Sequence, residues 1–190
     1  LMHGDADARR LAQQTFLIGD FLAQHAPDFR VPPLHAKAVV HGHCHQKAVL
    51  GTSGDEALLK QMKLDYTLPD TGCCGMAGGF GFERGAHYDV SIKCGERVLL
   101  PAVRAASADT LVVANGFSCR EQIAQTTERQ ALHLAQVVKM ALDGTTPGPR
   151  PELHAMRDIA REARDATLRG FIALAVAAGA ASALVLVRRR

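Results

Sequence analysis

Residues 110–119 have the sequence TLVVANGFSC, in which a short apolar strand runs directly into a loop that carries a cysteine. Two earlier stretches repeat this order, AVVHGHCHQK at 38–47 and DYTLPDTGCCGMAGGFG at 65–81. A helical pattern follows each loop. Strands that alternate with helices are typical of a mostly parallel sheet with helices on its faces. We therefore predict an α/β fold with a small, mostly parallel sheet and a helical tail at the C-terminus.

The cysteine loops are predicted to lie at one edge of that sheet. We call residues 41–47 the first cysteine loop, residues 71–81 the second and residues 115–119 the third. Parallel strands end at the same edge, so the loops that follow them gather there. This topology brings together the thiols of Cys44, Cys73, Cys74 and Cys119. Four thiolates are the number that usually holds an iron–sulfur cluster, so these cysteines are candidate metal ligands.

Residues beside these cysteines suit a supporting role. Glycines of the second loop, Gly75 among them, allow positive φ and let backbone N–H groups approach a bulky group. His43 and His45 would either donate N–H bonds to cluster sulfurs or remain solvated. Arg120 adds positive charge next to Cys119 at the start of a helix, where the helix dipole favours a thiolate.

Hydrophobic spacing and capping signals predict the other elements. One amphipathic helix is expected over 5–23. Residues 53–56 have the form of a capping box, which predicts a helix from there to about 64. A helix over 87–100 is predicted to turn Val90, Cys94 and Val98 inward, with an interruption at Pro101. The predicted strands are 38–41, 65–68 and 110–114, with a short strand at 131–134 before a helix that ends near 142.

The C-terminal part differs in composition from the rest. Residues 144–151 are rich in Gly and Pro, which predicts a linker between a domain over 1–143 and a tail over 152–190. The tail begins as a charged helix, and residues 171–187 are all apolar or small. This segment would anchor in a membrane, lie on one or pack on a partner, and we favour membrane association.

Charge and cysteine usage narrow the class of protein. The net charge is +3 and the excess lies near the C-terminus, which argues against a nucleic-acid groove. Five cysteines without a signal-peptide pattern indicate a reducing compartment and not a disulfide scaffold. We predict a cytoplasmic protein that is attached to the inner face of the cell membrane. Because a helical pattern is already present near Leu1, we expect the chain to be a piece of a longer protein.

Three motifs resemble those of a known family. HGHCHQ at 41–46, GCCGMAG at 72–78 and GFSCREQ at 116–122 are similar to the cysteine-rich CCG domain. That domain closes the iron–sulfur subunits of glycolate oxidase, anaerobic glycerol-3-phosphate dehydrogenase and heterodisulfide reductase. The likeness covers about residues 5–142. HYDVS at 87–91 and ERVLLP at 96–101 also resemble the C-terminal part of FAD-linked oxidases.

The resemblance implies an iron–sulfur electron-transfer domain of an FAD-linked 2-hydroxyacid dehydrogenase, of the D-lactate, glycolate or D-2-hydroxyglutarate type. It implies a [4Fe–4S] cluster here, FAD in an upstream or partner domain, and a downstream acceptor such as a quinone. The catalytic residues would then lie in the flavin part, so none is assigned in this chain. The family pattern ends in Cys-x-x-Cys, whereas Gly116 stands at the first of those positions, which argues against a two-cluster arrangement.

Two other functions remain open from the residues. The cysteines and histidines could form a structural zinc site whose task is to dock a partner, since thiolate and imidazole are both zinc ligands. Alternatively, Cys73 and Cys74 could cycle between thiol and disulfide, as in an enzyme of the heterodisulfide reductase kind. Metal analysis separates the zinc module from the cluster domain, and alkylation trapping with a disulfide substrate tests the thiol enzyme.

Overall fold

The computed structural model describes residues 4–188, with side chains described up to residue 174. This part of the chain divides into two compact units, one that ends at Glu152 and one that begins at Leu153. The strands are β1 Lys37–His41, β2 Asp65–Thr67 and β3 Leu111–Ala114. The helices are α1 Ala6–Gln13, α2 Ile18–His25, α3 Cys44–Val49, α4 Ser53–Gln61, α5 Ala86–Glu96, α6 Leu99–Ala105, α7 Phe117–Thr126, α8 Leu134–Leu142 and α9 Pro151–Arg188, with a 3₁₀ turn at Phe80–Phe82.

The strands form a parallel sheet in the order β2-β1-β3, which confirms the predicted α/β fold. β1 is central, and its Ala38 pairs with Tyr66 of β2 and with Leu111 of β3. The chain moves from β1 to one side of the sheet and then returns to the other side. The connections therefore diverge at the carboxyl ends of β1 and β3, where parallel sheets of this kind bind ligands.

The core lies against β3, whose four residues are all buried. A continuous strand of apolar side chains is typical of a parallel sheet that is covered on both faces. Helices α6 and α7 contribute fully buried residues, including Leu99, Leu100 and Ile123. Each such side chain contributes about 1.5–3 kcal/mol to folding relative to an exposed one. Cys74 and Cys119 belong to the same apolar cluster, so the core and the cysteine loops share residues.

Two predicted helices are interrupted in the structure. The expected helix over 5–23 is two helices, because Thr15 Oγ1 donates to Leu11 O at 2.8 Å and Leu17 has extended backbone. The expected helix over 87–100 ends at Glu96, and Leu99 begins α6. Pro101 is the third residue of α6, where an N–H group has no partner within the helix, so it does not cause the break.

Three smaller predictions were also wrong. Val90 is 47% exposed instead of facing inward. The predicted capping box is absent because Thr52 is the N-cap of α4, and its hydroxyl donates to Glu56 Oε1 at 2.8 Å. The predicted strand at 131–134 is a single bridge, in which the N–H and C=O of Leu132 bond to β3.

The tail is one helix, α9, as far as the described residues extend. Among the residues that the structure describes, none of the helices combines the length and the hydrophobicity that a membrane span requires. Most of the apolar segment 171–187 lies outside the described side chains. Its association with a membrane, and the division of function between 1–143 and the tail, remain predictions.

Candidate metal centre

The four predicted cysteines lie together at the carboxyl edge of the sheet, as two pairs. The outer pair is Cys44 and Cys73, whose Sγ atoms are 3.7 Å apart and whose side chains are half-buried. The inner pair is Cys74 and Cys119, which are hydrogen-bonded to each other and are 2% and 0% exposed. All three cysteine loops therefore contribute sulfur to one site.

The charge of the thiols is unequally distributed within the site. Cys119 donates its S–H to Cys74, which lowers the pKa of Cys74 to about 6 and raises that of Cys119 far above its usual range. Burial raises the pKa of Cys73 to about 11, although the Gly75 N–H partly offsets this effect. Repulsion from the other three cysteines also raises the pKa of Cys119. Four thiolates cannot coexist in this setting without added positive charge, which a metal centre supplies.

The second cysteine loop depends on Gly75. Its φ is +95°, and its N–H group donates to Cys73 Sγ at 3.3 Å. A Cβ atom at this position would lie 2.1 Å from the backbone oxygen of Ser91 on α5. The loop therefore packs directly against α5, and only glycine fits.

Two of the cysteines lie in the first turn of a helix. Cys44 is the first residue of α3 and Cys119 is the third residue of α7. Backbone N–H groups in the first turn have no partner within the helix and are free to bond to a nearby sulfur. At the start of α7, a Cβ on Gly116 would lie 2.6 Å from His43 Cδ2 and 2.9 Å from Cys119 Sγ. The absence of a side chain at residue 116 thus lets the His43 ring pack beside Cys119.

The predicted supporting residues have different positions. His43 is half-buried, and its pKa is lowered mainly by this burial and to a smaller extent by repulsion from His45. His45 is exposed, with its ring centroid 6.4 Å from that of His43. Arg120 donates to the backbone oxygens of Ala114 and Asn115 at 3.3 and 2.8 Å, so it braces the end of β3.

Cys94 is half-buried and not a fully buried core residue. It lies on α5 beside the second cysteine loop, where its Cβ is 3.0 Å from the place that a Gly75 Cβ would take. Its predicted role in packing is therefore confirmed only in part.

Asp55 is the main residue that the sequence did not reveal. Its Oδ2 accepts from Gln46 Nε2 at 2.6 Å and from Asn115 Nδ2 at 2.7 Å, and Asn115 Oδ1 accepts from Leu134 N at 3.0 Å. Gln46 and Asn115 belong to the first and third cysteine loops, so one buried carboxylate holds both loops. The only available signal was an amide side chain near a cysteine in each of these loops.

A second link joins the inner pair to α5. Gln122 of α7 is buried, and its Nε2 donates to both the backbone oxygen and the Oγ of Ser91 at 3.2 Å. Ser91 is the same residue against which Gly75 packs. The helix that carries Cys119 and the loop that carries Cys74 are therefore positioned by one residue of α5.

The donor set fits an iron–sulfur cluster in its chemistry. It consists of four thiols with backbone N–H support, and iron–sulfur clusters are held by cysteine thiolates. Among the described residues, no three His, Cys, Asp or Glu side chains are placed so that they could hold a metal ion. The four cysteines are therefore proposed as ligands from their chemistry and proximity, and not from a preformed coordination geometry.

Comparisons with known proteins give a distant similarity. No family model and no solved structure matches the chain. It is 32% identical over 111 residues to one subunit of the anaerobic glycerol-3-phosphate dehydrogenase of Escherichia coli strain K12, and equally to its counterpart in Escherichia coli O157:H7. The match covers 58% of this chain and 27% of each relative. The chain thus spans about a quarter of the length of these relatives.

Proposed function

We propose that this chain is the iron–sulfur electron-transfer part of an FAD-linked 2-hydroxyacid dehydrogenase. The observation that carries the proposal is the meeting of four thiols from three loops at one edge of the sheet. The similarity to part of a dehydrogenase supports a role within a larger oxidoreductase. In this proposal Cys44, Cys73, Cys74 and Cys119 hold a [4Fe–4S] cluster, which when bound supplies one-electron transfer between the flavin and a downstream acceptor.

The residues of the chain have three tasks in this proposal. The cysteine thiolates bind the iron. The Gly75 N–H group donates to Cys73 Sγ, and such bonds to the ligand sulfurs tune a reduction potential. The apolar cluster around Cys74 and Cys119 excludes water from the inner side of the site, which is a second determinant of that potential.

The proposed partners lie outside the described chain. FAD would be held by another domain or subunit, which would select a substrate of the D-lactate, glycolate or D-2-hydroxyglutarate type. A quinone or another carrier would accept the electrons. Residues 171–187 would attach the protein to the inner face of the cell membrane.

Reduction of the anaerobically purified full chain tests the proposal. The protein should be brown, should bleach when dithionite reduces it, and should recover its colour when a soluble quinone is added. Cys73→Ala should remove the chromophore, whereas Cys94→Ala is the matched control and should keep it. A colourless wild-type chain after reconstitution with iron and sulfide, or a Cys73→Ala variant that retains the chromophore, would contradict the proposal.

One observation favours a second function. The lowered pKa of Cys74 would make it a thiolate at neutral pH, as a thiol–disulfide enzyme requires. Cys74 is only 2% exposed, however, so a disulfide substrate cannot reach it without opening of the core. Reduction of one equivalent of a small disulfide by the reduced, metal-free chain, with Cys73 and Cys74 becoming a disulfide as they supply the two electrons and two protons, would favour this function over electron transfer if Cys74→Ala abolished it.

A further inference from the structure

A small cavity lies between the carboxyl ends of β1 and β3, beside the cysteine loops. Its walls combine apolar side chains such as Val40 and Val113 with the polar groups of His41, Asp55 and Asn115. The space open to the centre of a water molecule is about 10 Å³. That is about the room that one water needs, and it is too little for a larger ligand.

Two buried polar atoms, on residues that line this cavity, have no hydrogen-bond partner among the described residues. They are His41 Nε2 and Asp55 Oδ1, and the two residues are 3% and 9% exposed. A buried polar atom without a partner destabilises the fold, because it has lost its bonds to water without replacing them. Because the two residues line the same cavity, a single ligand there could bond to both atoms.

The other atoms of these two side chains are already engaged. His41 Nδ1 bonds to Thr71 Oγ1 at 2.6 Å, which connects β1 to the start of the second cysteine loop. Asp55 Oδ2 accepts from Gln46 and Asn115, which lie in the first and third cysteine loops. A ligand between His41 Nε2 and Asp55 Oδ1 would join two separate networks into one that includes all three loops.

We propose that this cavity holds one ordered water that bridges His41 Nε2 and Asp55 Oδ1. Water donates to the Asp55 carboxylate and can either donate to Nε2 or accept from it, so it satisfies both neutral tautomers of His41. A bare cation could bind only the tautomer in which Nε2 is unprotonated. The bridge fixes the relative positions of the three cysteine loops. Its role in retaining a cluster rests on the proposed function, whereas the water site itself does not.

A crystal structure of the full chain that resolves ordered water tests the site directly. We expect one peak in the cavity, about 2.7–3.2 Å from both His41 Nε2 and Asp55 Oδ1. An empty cavity would overturn the proposal, as would density that extends beyond a single atom. Neither result depends on whether iron binds.

A double-mutant cycle on the metal-free chain tests the bridge in solution. The equilibrium constant for unfolding in urea is measured for His41→Phe, Asp55→Asn and the double variant. Since the two side chains share the water, their effects should depart from simple multiplication by about threefold or more. The control cycle pairs His41→Phe with Asp28→Asn, an exposed carboxylate, and should be multiplicative. Multiplicative effects in both cycles would overturn the bridge.

Iron retention separates this inference from the proposed function. In the holoprotein, His41→Phe should speed the loss of iron to a chelator several-fold relative to Asp28→Asn. A wild-type chain that binds no iron but shows the water and the coupling would contradict the proposed function alone. A chain that binds iron but has a dry cavity would contradict the water bridge alone.

Discussion

The inner and outer thiol pairs are positioned by different forces. Cys74 and Cys119 are part of the apolar cluster around β3, so the packing of the core determines where they lie. Cys44 and Cys73 are half-buried, the first at the start of α3 and the second in the second cysteine loop. Their positions depend on hydrogen bonds, from Gly75 N–H to Cys73 and from Gln46, two residues after Cys44, to Asp55.

This difference suggests that the two thiol pairs have different roles within one site. The inner pair, Cys74 and Cys119, keeps its position whenever the chain is folded, even without metal, because its burial contributes to the core. The outer pair is the more exposed side of the site, and in the proposed function it is the side from which iron would enter.

The largest effect is expected at the contact between the second cysteine loop and α5. Gly75→Ala should destabilise the chain by about 3 kcal/mol or more, because it adds a clash with the Ser91 oxygen to the cost of positive φ. Gly78→Ala is the matched control, since Gly78 also has positive φ but has no atom within 4 Å of the added Cβ. It should cost about 1–2 kcal/mol. Equal unfolding free energies in urea would show that this contact does not position the loop.

Serine substitutions should distinguish the two pairs in the metal-free chain. Cys119→Ser places a hydroxyl in the apolar cluster and should cost about 1–3 kcal/mol. Cys44→Ser should change stability by less than about 0.5 kcal/mol, because the side chain is only half-buried, at the first residue of α3. The measurement is urea unfolding without metal. If Cys44→Ser lowered the free energy of unfolding as much as Cys119→Ser, the two pairs would not differ in how they are held.

Access to alkylating agents should follow the same division. In the metal-free chain, Cys44 should react with iodoacetamide at least about tenfold faster than Cys119, which reacts only after the core opens. Peptide mass spectrometry after timed quenching gives the two rates. If Cys119 reacted as fast as Cys44, the inner pair would not be held in the core of the metal-free chain.

The smallest effect concerns Asp55, which supports the outer pair through Gln46. Burial raises the pKa of Asp55 above 3.8, so the folded chain binds this proton more tightly than the unfolded chain does. Its contribution to stability is therefore greatest below pH 3.8 and falls as the pH rises through the folded pKa. The difference in the free energy of unfolding between wild type and Asp55→Asn should therefore become smaller as the pH rises through the folded pKa of Asp55.

Urea unfolding at several pH values measures this difference. Asp28→Asn, at an exposed site, is the control for the loss of a carboxylate. If the difference in unfolding free energy between wild type and Asp55→Asn instead became larger with rising pH, the buried position would stabilise the charged carboxylate and would not destabilise it.

The sheet could be predicted from the sequence because its signals are local. Short apolar runs that end in a cysteine loop identified β1 and β3 to within a residue. Parallel topology then predicted that the loops would meet, and the four thiols do lie together. Whether they bind iron remains a proposal, since proximity alone does not test ligation.

The helix break and the role of Asp55 depend on individual hydrogen bonds, which the spacing of hydrophobic residues does not reveal. The break between α1 and α2 involves one hydroxyl–backbone bond, from Thr15 to Leu11. The bond between Asn115 and Asp55 joins residues 60 positions apart, and no local pattern connects them. Asp55 therefore looked like part of a helix start, although in the folded chain it holds two cysteine loops.

The iron and acid-labile sulfide content of the anaerobically purified full chain decides whether the four cysteines hold a cluster. We expect about four of each per chain, as a [4Fe–4S] cluster requires, and their loss in Cys119→Ser but not in Cys94→Ala. Zinc without sulfide, or a folded chain that binds neither iron nor sulfide after reconstitution, would contradict the account.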